Sequence, residues 1–180
     1  RWPAPTRGAD YAAMGPSPEW SVTDLPGVKA TGLPPNVTVL WGTNDSDVYA
    51  GTYGGDIFHW DGKEWTQVVE GADQGNEVIS AFGGGPKDVY AVGQEQLILH
   101  FDGARWQRLR VPGPPNGNEG FTGVHYMVGG GVIISGSGDE GRLLHGSAAG
   151  LAEFGRYQIK LIDMAALGDR ILFSTGDGVA

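Results

Sequence analysis

One stretch of this chain occurs twice, and the copy restricts the fold more than any other feature. Asp47 to Trp65 (DVYAGTYGGDIFHWDGKEW) returns as Asp88 to Trp106 (DVYAVGQEQLILHFDGARW), every matched position lying 41 residues later with no gap. Asp47-Val48-Tyr49-Ala50 maps to Asp88-Val89-Tyr90-Ala91, Ile57 and His59 to Ile98 and His100, and Asp61, Gly62 and Trp65 to Asp102, Gly103 and Trp106. A period of this size marks stacked copies of one supersecondary unit, each too small to bury its apolar face alone.

The first full unit reads as four strands. Val37 to Trp41 is followed by the Asn44-Asp45-Ser46-Asp47 turn, Val48 to Thr52 by Gly54-Gly55, and Asp56 to Trp60 by Asp61-Gly62; Glu64 to Val69 closes the unit. Asp-Gly between alternating apolar segments is a strong hairpin signal, because Gly accepts positive φ. The second unit repeats this from Val78 to Leu109, and Pro112 to Gly120 connects it to a degenerate third. There Phe121–Val128, Val132–Gly136, Arg142–His145 and Glu153–Ile159 read as strands. The third unit keeps a His (His145), loses the Asp-Gly turn and the Trp, and has Phe154 where the Trp would stand. Leu161–Leu167 and Ile171–Thr175 open a fourth unit. Upstream, Glu19-Trp20-Ser21-Val22 matches Glu64-Trp65-Thr66-Gln67 and reads as a terminal strand, 19–25, preceded by a Pro-rich arm, 1–18.

Four antiparallel strands per repeat, with an aromatic near the end, is the pattern of a β-propeller blade. The expected fold is therefore all-β: a propeller over 19–180, with blades at 37–69, 78–111 and 121–159 and a partial blade at 161–180. The two sharp units resemble bacterial propeller repeats of the form D-V-Y/W-A-V-G…I-x-H-x-D-G-x-x-W. Such repeats occur in secreted and surface proteins and are distantly similar to propellers that help assemble photosynthetic complexes. The resemblance implies a fold and an extracytoplasmic location (periplasmic, surface or secreted), not an activity. About four blades is the lower limit for this architecture. The two ends could share one closing blade; the stronger expectation is part of a larger ring, completed by further sequence or by another chain. The start at Arg1 fits a processed product or a portion of a longer one.

Composition narrows the partners. Frequent Gly and Pro (32 and 11 of 180 residues) between short apolar runs suit strands and tight turns. A net charge of −9 disfavours nucleic acid, whose phosphates call for Lys and Arg. The absence of cysteine excludes disulfides, thiol catalysis and Cys-ligated metal sites. No apolar run approaches the roughly 18 residues that span a bilayer.

His59, His100 and His145 recur at equivalent positions, which invites a metal reading. Equivalent residues of successive blades are spread around a ring, so they cannot meet at the roughly 2 Å that zinc requires, and they read as strand-to-strand hydrogen bonders. Asp47 and Asp88 sit in turns, where a carboxylate accepts backbone N–H groups. Asp45 and Asp47 are weak calcium candidates, because the rest of a calcium loop is missing around them. Ser137-Gly138-Asp139-Glu140-Gly141 fits the core of the Asp-box of sialidase-like propellers, a structural hairpin in that family. Arg142, Arg156 and Arg170 form no arginine cluster in the sequence, and there is no nucleophile elbow or phosphate loop; neither catalysis nor a cofactor is expected.

In a propeller the connections after the second and fourth strands emerge on one face. Here they carry Asp56, Glu70, Asp73, Glu77, Glu95, Glu119, Asp139 and Glu140, with Arg142 as the nearby cation. This predicts an acidic face that docks a basic protein segment, with Tyr53, Asn76 and Asn118 adding hydrogen bonds. Arg105, Arg108 and Arg110 form a basic row along a fourth strand, and Trp65 and Trp106 are expected to pack between blades. The function expected is a non-catalytic scaffold or protein-interaction module, a subunit of or accessory to an extracytoplasmic assembly, meeting other protein subunits through the acidic face and the arm. The alternatives are a carbohydrate-binding propeller using Tyr53 and Trp41, and a sialidase-like hydrolase or lyase.

Overall fold

The computed structural model describes residues 25–26, 35–71, 79–114, 118–127, 130–167, 170–176 and 178–179. Among them the regular structure is entirely β, arranged as four antiparallel sheets in chain order. Sheet 1 holds β1 (Val37–Asn44), β2 (Asp47–Thr52), β3 (Ile57–Trp60) and β4 (Trp65–Val69). Sheet 2 holds β5 (Ile79–Gly85), β6 (Asp88–Gly93), β7 (Ile98–Phe101) and β8 (Trp106–Arg108). Sheet 3 holds β9 (Gly120–Tyr126), β10 (Val132–Ser137), β11 (Gly141–Ser147) and β12 (Gly150–Tyr157); sheet 4 holds β13 (Leu161–Leu167), β14 (Arg170–Thr175) and the short β15 (Gly178–Val179). Each sheet is a simple meander, and the first strands meet in succession, β1 against β5, β5 against β9 and β9 against β13. This is a β-propeller. The expected arm 1–18 and the strand with Trp20 lie outside the described residues, as do Asp73, Asn76 and Glu77.

The core lies between the sheets. Tyr49 and Ile57 of sheet 1 pack on Ile79, Phe82, Val89, Ala91, Leu97 and Leu99 of sheet 2. On the other side of sheet 2, Tyr90, Val92 and Ile98 pack on Phe121, Val132, Ile134 and Leu144 of sheet 3. The two-residue period of a strand sends Val89 and Ala91 to one seam and Tyr90 and Val92 to the other. That is why β6 reads as a continuous apolar run: both of its faces are buried.

The repeated residues hold this scaffold. His59 stands opposite Tyr49, and His100 opposite Tyr90, in the strand register. Their Nε2 atoms bond Asp47 Oδ1 at 2.9 Å and Asp88 Oδ1 at 2.6 Å, tying the start of each second strand to the third. Burial, with Asp47 nearby, pushes the Tyr49 hydroxyl up to about 12. Trp106 crosses the seam edge-on to Tyr49 at 5.8 Å, the interblade packing its recurrence predicts. Trp65 contacts Trp60 of its own hairpin. At Asp61-Gly62 and Asp102-Gly103 the carboxylates each accept two backbone amides, which hold both carboxyls below the usual range, and the glycines take φ of 95° and 88°.

Threonines at bulges stitch neighbouring first strands together: Thr38 Oγ1 donates to the Ile79 carbonyl at 2.6 Å, and Thr122 Oγ1 to that of Leu161 at 3.3 Å. Gly51 makes the first approach possible, because a Cβ there would lie 2.5 Å from Ile79 Cγ2. Sheet 3 departs from the pattern. His145 keeps its place, opposite Ile133, but is exposed and meets only the edge of Phe154 among the ring contacts. Phe154, 64% exposed, does not take the place of the tryptophan: the register sets Leu151 opposite Gly146 as Trp106 stands opposite Phe101, and Leu151 packs against the seam between sheets 2 and 3.

Candidate functional site

The turn joining β6 to β7 is where the two sharp repeats stop matching. Leu97 N–H donates to the Gln94 carbonyl at 3.1 Å, and the two residues between, Glu95 and Gln96, both have φ of 56°. Positive φ at both central positions is the type I′ hairpin, which strongly prefers Asn-Gly because most side chains crowd the backbone there. Sheet 1 puts Gly54-Gly55 at these positions, with Gly55 at φ 80°. Sheet 2 uses two long polar side chains instead, and their conformation costs about 1–2 kcal/mol each. Non-glycine residues held in left-handed backbone cluster at functional sites, so this outlier directs attention to its surroundings.

Gln94 and Glu95 line one side of an open cleft of about 510 Å³. Ser80 of β5, Asn118, Gly120 and Thr122 around the start of β9, and Ser137 at the end of β10 line the rest, with fully buried Phe121 as the apolar floor. The cleft thus sits at the loop ends of sheets 2 and 3. Its lining is hydroxyl, amide and backbone groups with a single carboxylate, Glu95, and no exposed aromatic ring. Such a surface can satisfy the alternating donors and acceptors of a peptide backbone and give a cation one point of attachment.

A buried charge cluster supports the cleft from below. Arg142 on β11 is 0% exposed; its Nη1 donates to Glu119 Oε2 at 2.9 Å, its Nε to Glu153 Oε2 at 2.9 Å, and its Nη2 to the Pro112 carbonyl. Glu153 is shared with Arg156, whose hydrogen bonds hold its carboxyl below the usual range. Glu119, 2% exposed, has its carboxyl pushed up by burial, which outweighs the neighbouring Arg142. Its backbone carbonyl accepts the Gln96 N–H at 3.1 Å, joining the cluster to the strained turn.

The predicted site residues divide accordingly. Glu95 and Asn118 line the cleft. Glu119 does not face a partner as expected, because it is buried and paired with Arg142. Asp56 is likewise withdrawn: 5% exposed, it bonds Thr52 Oγ1 at 3.0 Å and accepts Gly71 N–H at 3.0 Å and Gln67 Nε2 at 3.2 Å. Among the described residues, two of the carboxylates expected on the acidic face are thus turned inward. Tyr53 (54% exposed) and Asp139 stand free of the cleft on the turns of sheets 1 and 3, and Glu140 accepts a bond from Gln158. Asp47 is engaged by Thr43 and His59, and no cluster of three metal-type side chains occurs among the described residues. Trp41 is half-buried against Tyr49, not an exposed platform for sugar. Sequence reasoning missed Gln94, Ser80, Thr122, Ser137 and Arg142. For Gln94 a signal existed, since it replaces Tyr53 of the first unit immediately before the Gly-Gly to Glu-Gln change.

No protein-family model matches the chain, and no curated protein matches it. Solved structures do. The chain is similar to the computationally designed protein Ika4 at 15% identity and TM-score 0.64, covering 90% of this chain and 96% of that one. It is similar to YCF48, solved bound to D1 peptide, at 11% identity and TM-score 0.65, covering 87% of this chain and 50% of that one. It is also similar to the extracellular domain of BT4673 from B. thetaiotaomicron, at 14% identity and TM-score 0.61, covering 85% of this chain and 22% of that one. The chain therefore spans half the length of YCF48 and under a quarter of the BT4673 domain. At these identities the likeness carries the fold.

Proposed function

We propose that this protein is a non-catalytic propeller that docks a protein segment in the cleft between sheets 2 and 3, as a subunit of or accessory to an extracytoplasmic assembly. The observation that carries this reading is the Glu95-Gln96 turn, two strained polar residues where the sister repeat has glycines, the first of which lines the cleft. The polar lining suits main-chain hydrogen bonding, and Glu95, the one charged lining group, favours a segment with a Lys or Arg side chain. Two similar proteins lend support: YCF48 was solved with a peptide bound, and the BT4673 domain is extracellular.

The test is fluorescence anisotropy against labelled peptides of about a dozen residues, lysine-bearing and matched neutral versions, at low salt. Lysine-bearing peptides should bind, and Asn118→Ala with Gln94→Ala should weaken them about tenfold, near 1.4 kcal/mol. Binding unaffected by both substitutions, or turnover of a sialoside by the purified protein, would defeat the proposal.

A further inference from the structure

We propose that Arg142 is a positioning residue for the cleft, a buried fork that presets its shape from the far side of the seam. This rests on the docking role of the cleft. Arg142 reaches three separate segments at once: Pro112 at the start of the connector between sheets 2 and 3, Glu119 at its end, and Glu153 on β12. Both ends of the connector are therefore tied to one rigid guanidinium, whose planar array of donors fixes direction as well as distance. Glu119 passes the constraint on. Its neighbours Asn118 and Gly120 line the cleft, and its carbonyl accepts the N–H of Gln96, the second left-handed residue of the rim.

The repeat shows that this position is free to vary and has been put to different uses. Three residues before the shared histidine the units carry Asp56, Leu97 and Arg142, all buried. Sheet 2 places a plain apolar residue there and packs well, so the fold itself does not require a charge. Asp56 in sheet 1 also takes hold of a connector, through Gly71 N–H, but it closes a turn built with glycine. A buried ion pair is a weak source of stability, since apolar side chains of similar volume often do as well; its attested advantage is to specify one arrangement. Here the arrangement specified is that of the cleft wall and rim.

The experiment uses the full chain. Arg142→Met combined with Glu119→Gln removes the pair without stranding a carboxylate. Amide hydrogen exchange, read by NMR on the free protein, should quicken at Gln96 by about tenfold or more, while Gly55 N–H in the matching turn of sheet 1 stays unchanged. Affinity for the lysine-bearing peptide should fall by a similar factor. Wild-type exchange at Gln96 together with wild-type affinity in the folded double variant would overturn the proposal. If exchange quickens but the parent binds no peptide at all, the positioning role stands and the docking reading is what fails. Should the double variant not fold, Glu119→Gln alone carries the test. It leaves Arg142 its bonds to Glu153 and Pro112 while weakening the hold on Glu119, and faster exchange confined to the rim turn is again expected. Unaltered exchange in that variant would equally overturn the proposal.

Discussion

Replacing Glu95 with Asn and Gln96 with Gly should make the protein more stable and a poorer binder. Both residues hold φ of 56° in a type I′ turn. For Glu and Gln this conformation costs about 1–2 kcal/mol each, and Asn tolerates it better. Glycine removes the cost entirely but adds about 0.5–1 kcal/mol through the extra freedom of the unfolded chain. The net gain is about 0.5–1 kcal/mol at each position, hence roughly 1–2 kcal/mol together. The local hydrogen bonds survive, because Leu97 N–H to Gln94, Gln96 N–H to Glu119 and Arg108 Nη2 to Glu95 all use main-chain groups of the two substituted residues or their neighbours. At about 2–4 °C per kcal/mol for a domain of this size, calorimetry should show a midpoint raised by roughly 2–8 °C. The same variant loses the Glu95 carboxylate, so anisotropy should show weaker binding of lysine-bearing peptide. An unchanged or lower midpoint would mean that the Glu95 and Gln96 side chains hold the turn for the sake of the fold. A raised midpoint with unaltered peptide affinity would break the connection between strain and docking.

Two further outcomes follow from the scaffold. Gly51→Ala places a methyl 2.5 Å from Ile79 Cγ2 and should cost about 1–3 kcal/mol in urea denaturation, whereas Gly150→Ala, with nothing within 4 Å of the new methyl, should differ little from the parent. The second concerns alkaline pH. Tyr49 is raised from 10.0 to about 12, chiefly by burial, so the neutral phenol favours the folded state, and that contribution is complete below pH 10 and lost as pH rises toward 12. The difference in absorbance titration between the parent and Tyr49→Phe should place this phenol near 12, and the variant should lose less stability across that window.

The scaffold was legible because its residues repeat. Asp47, Tyr49 and His59 do in sheet 1 what Asp88, Tyr90 and His100 do in sheet 2, so a 41-residue period exposes them without a structure. The apolar run Val89 to Val92 likewise predicted a strand, although only the packing shows that both of its faces are covered. The site was less legible. Sequence position correctly places Asp56 and Glu119 on the loop side, but whether a loop carboxylate points outward depends on partners far along the chain. Glu119 finds Arg142, 23 residues away, and Asp56 finds Gly71, 15 residues away. Among the expected contacts that lie within the described residues, Glu95 and Asn118 border this cleft, where the turn of sheet 2 and the end of the connector into sheet 3 leave a gap.

That gap has a physical reason to lie between sheets 2 and 3. Every residue of a propeller strand that enters a seam must fit a neighbouring sheet, and close packing makes a change of even one methylene felt. Sheet 2 is constrained in this way on both faces, which leaves its turns and connectors as the places where substitution is cheap. Sheets 1 and 2 keep the same seam residues, so their junction is a repeat of a fixed design. Sheet 3 has lost the Asp–His tie and the seam tryptophan, and it meets sheet 2 through different devices: Tyr126 donates to Asp88 Oδ2 at 2.9 Å, and the Ala148 N–H donates to Tyr90 Oη at 3.0 Å. The junction where one partner is regular and the other divergent is the one at which loop chemistry could change without breaking a shared pattern. The left-handed Glu95-Gln96 turn, the polar cleft and the buried Arg142 all occur at that junction, and the regular junction between sheets 1 and 2 has instead a glycine turn closed by Asp56.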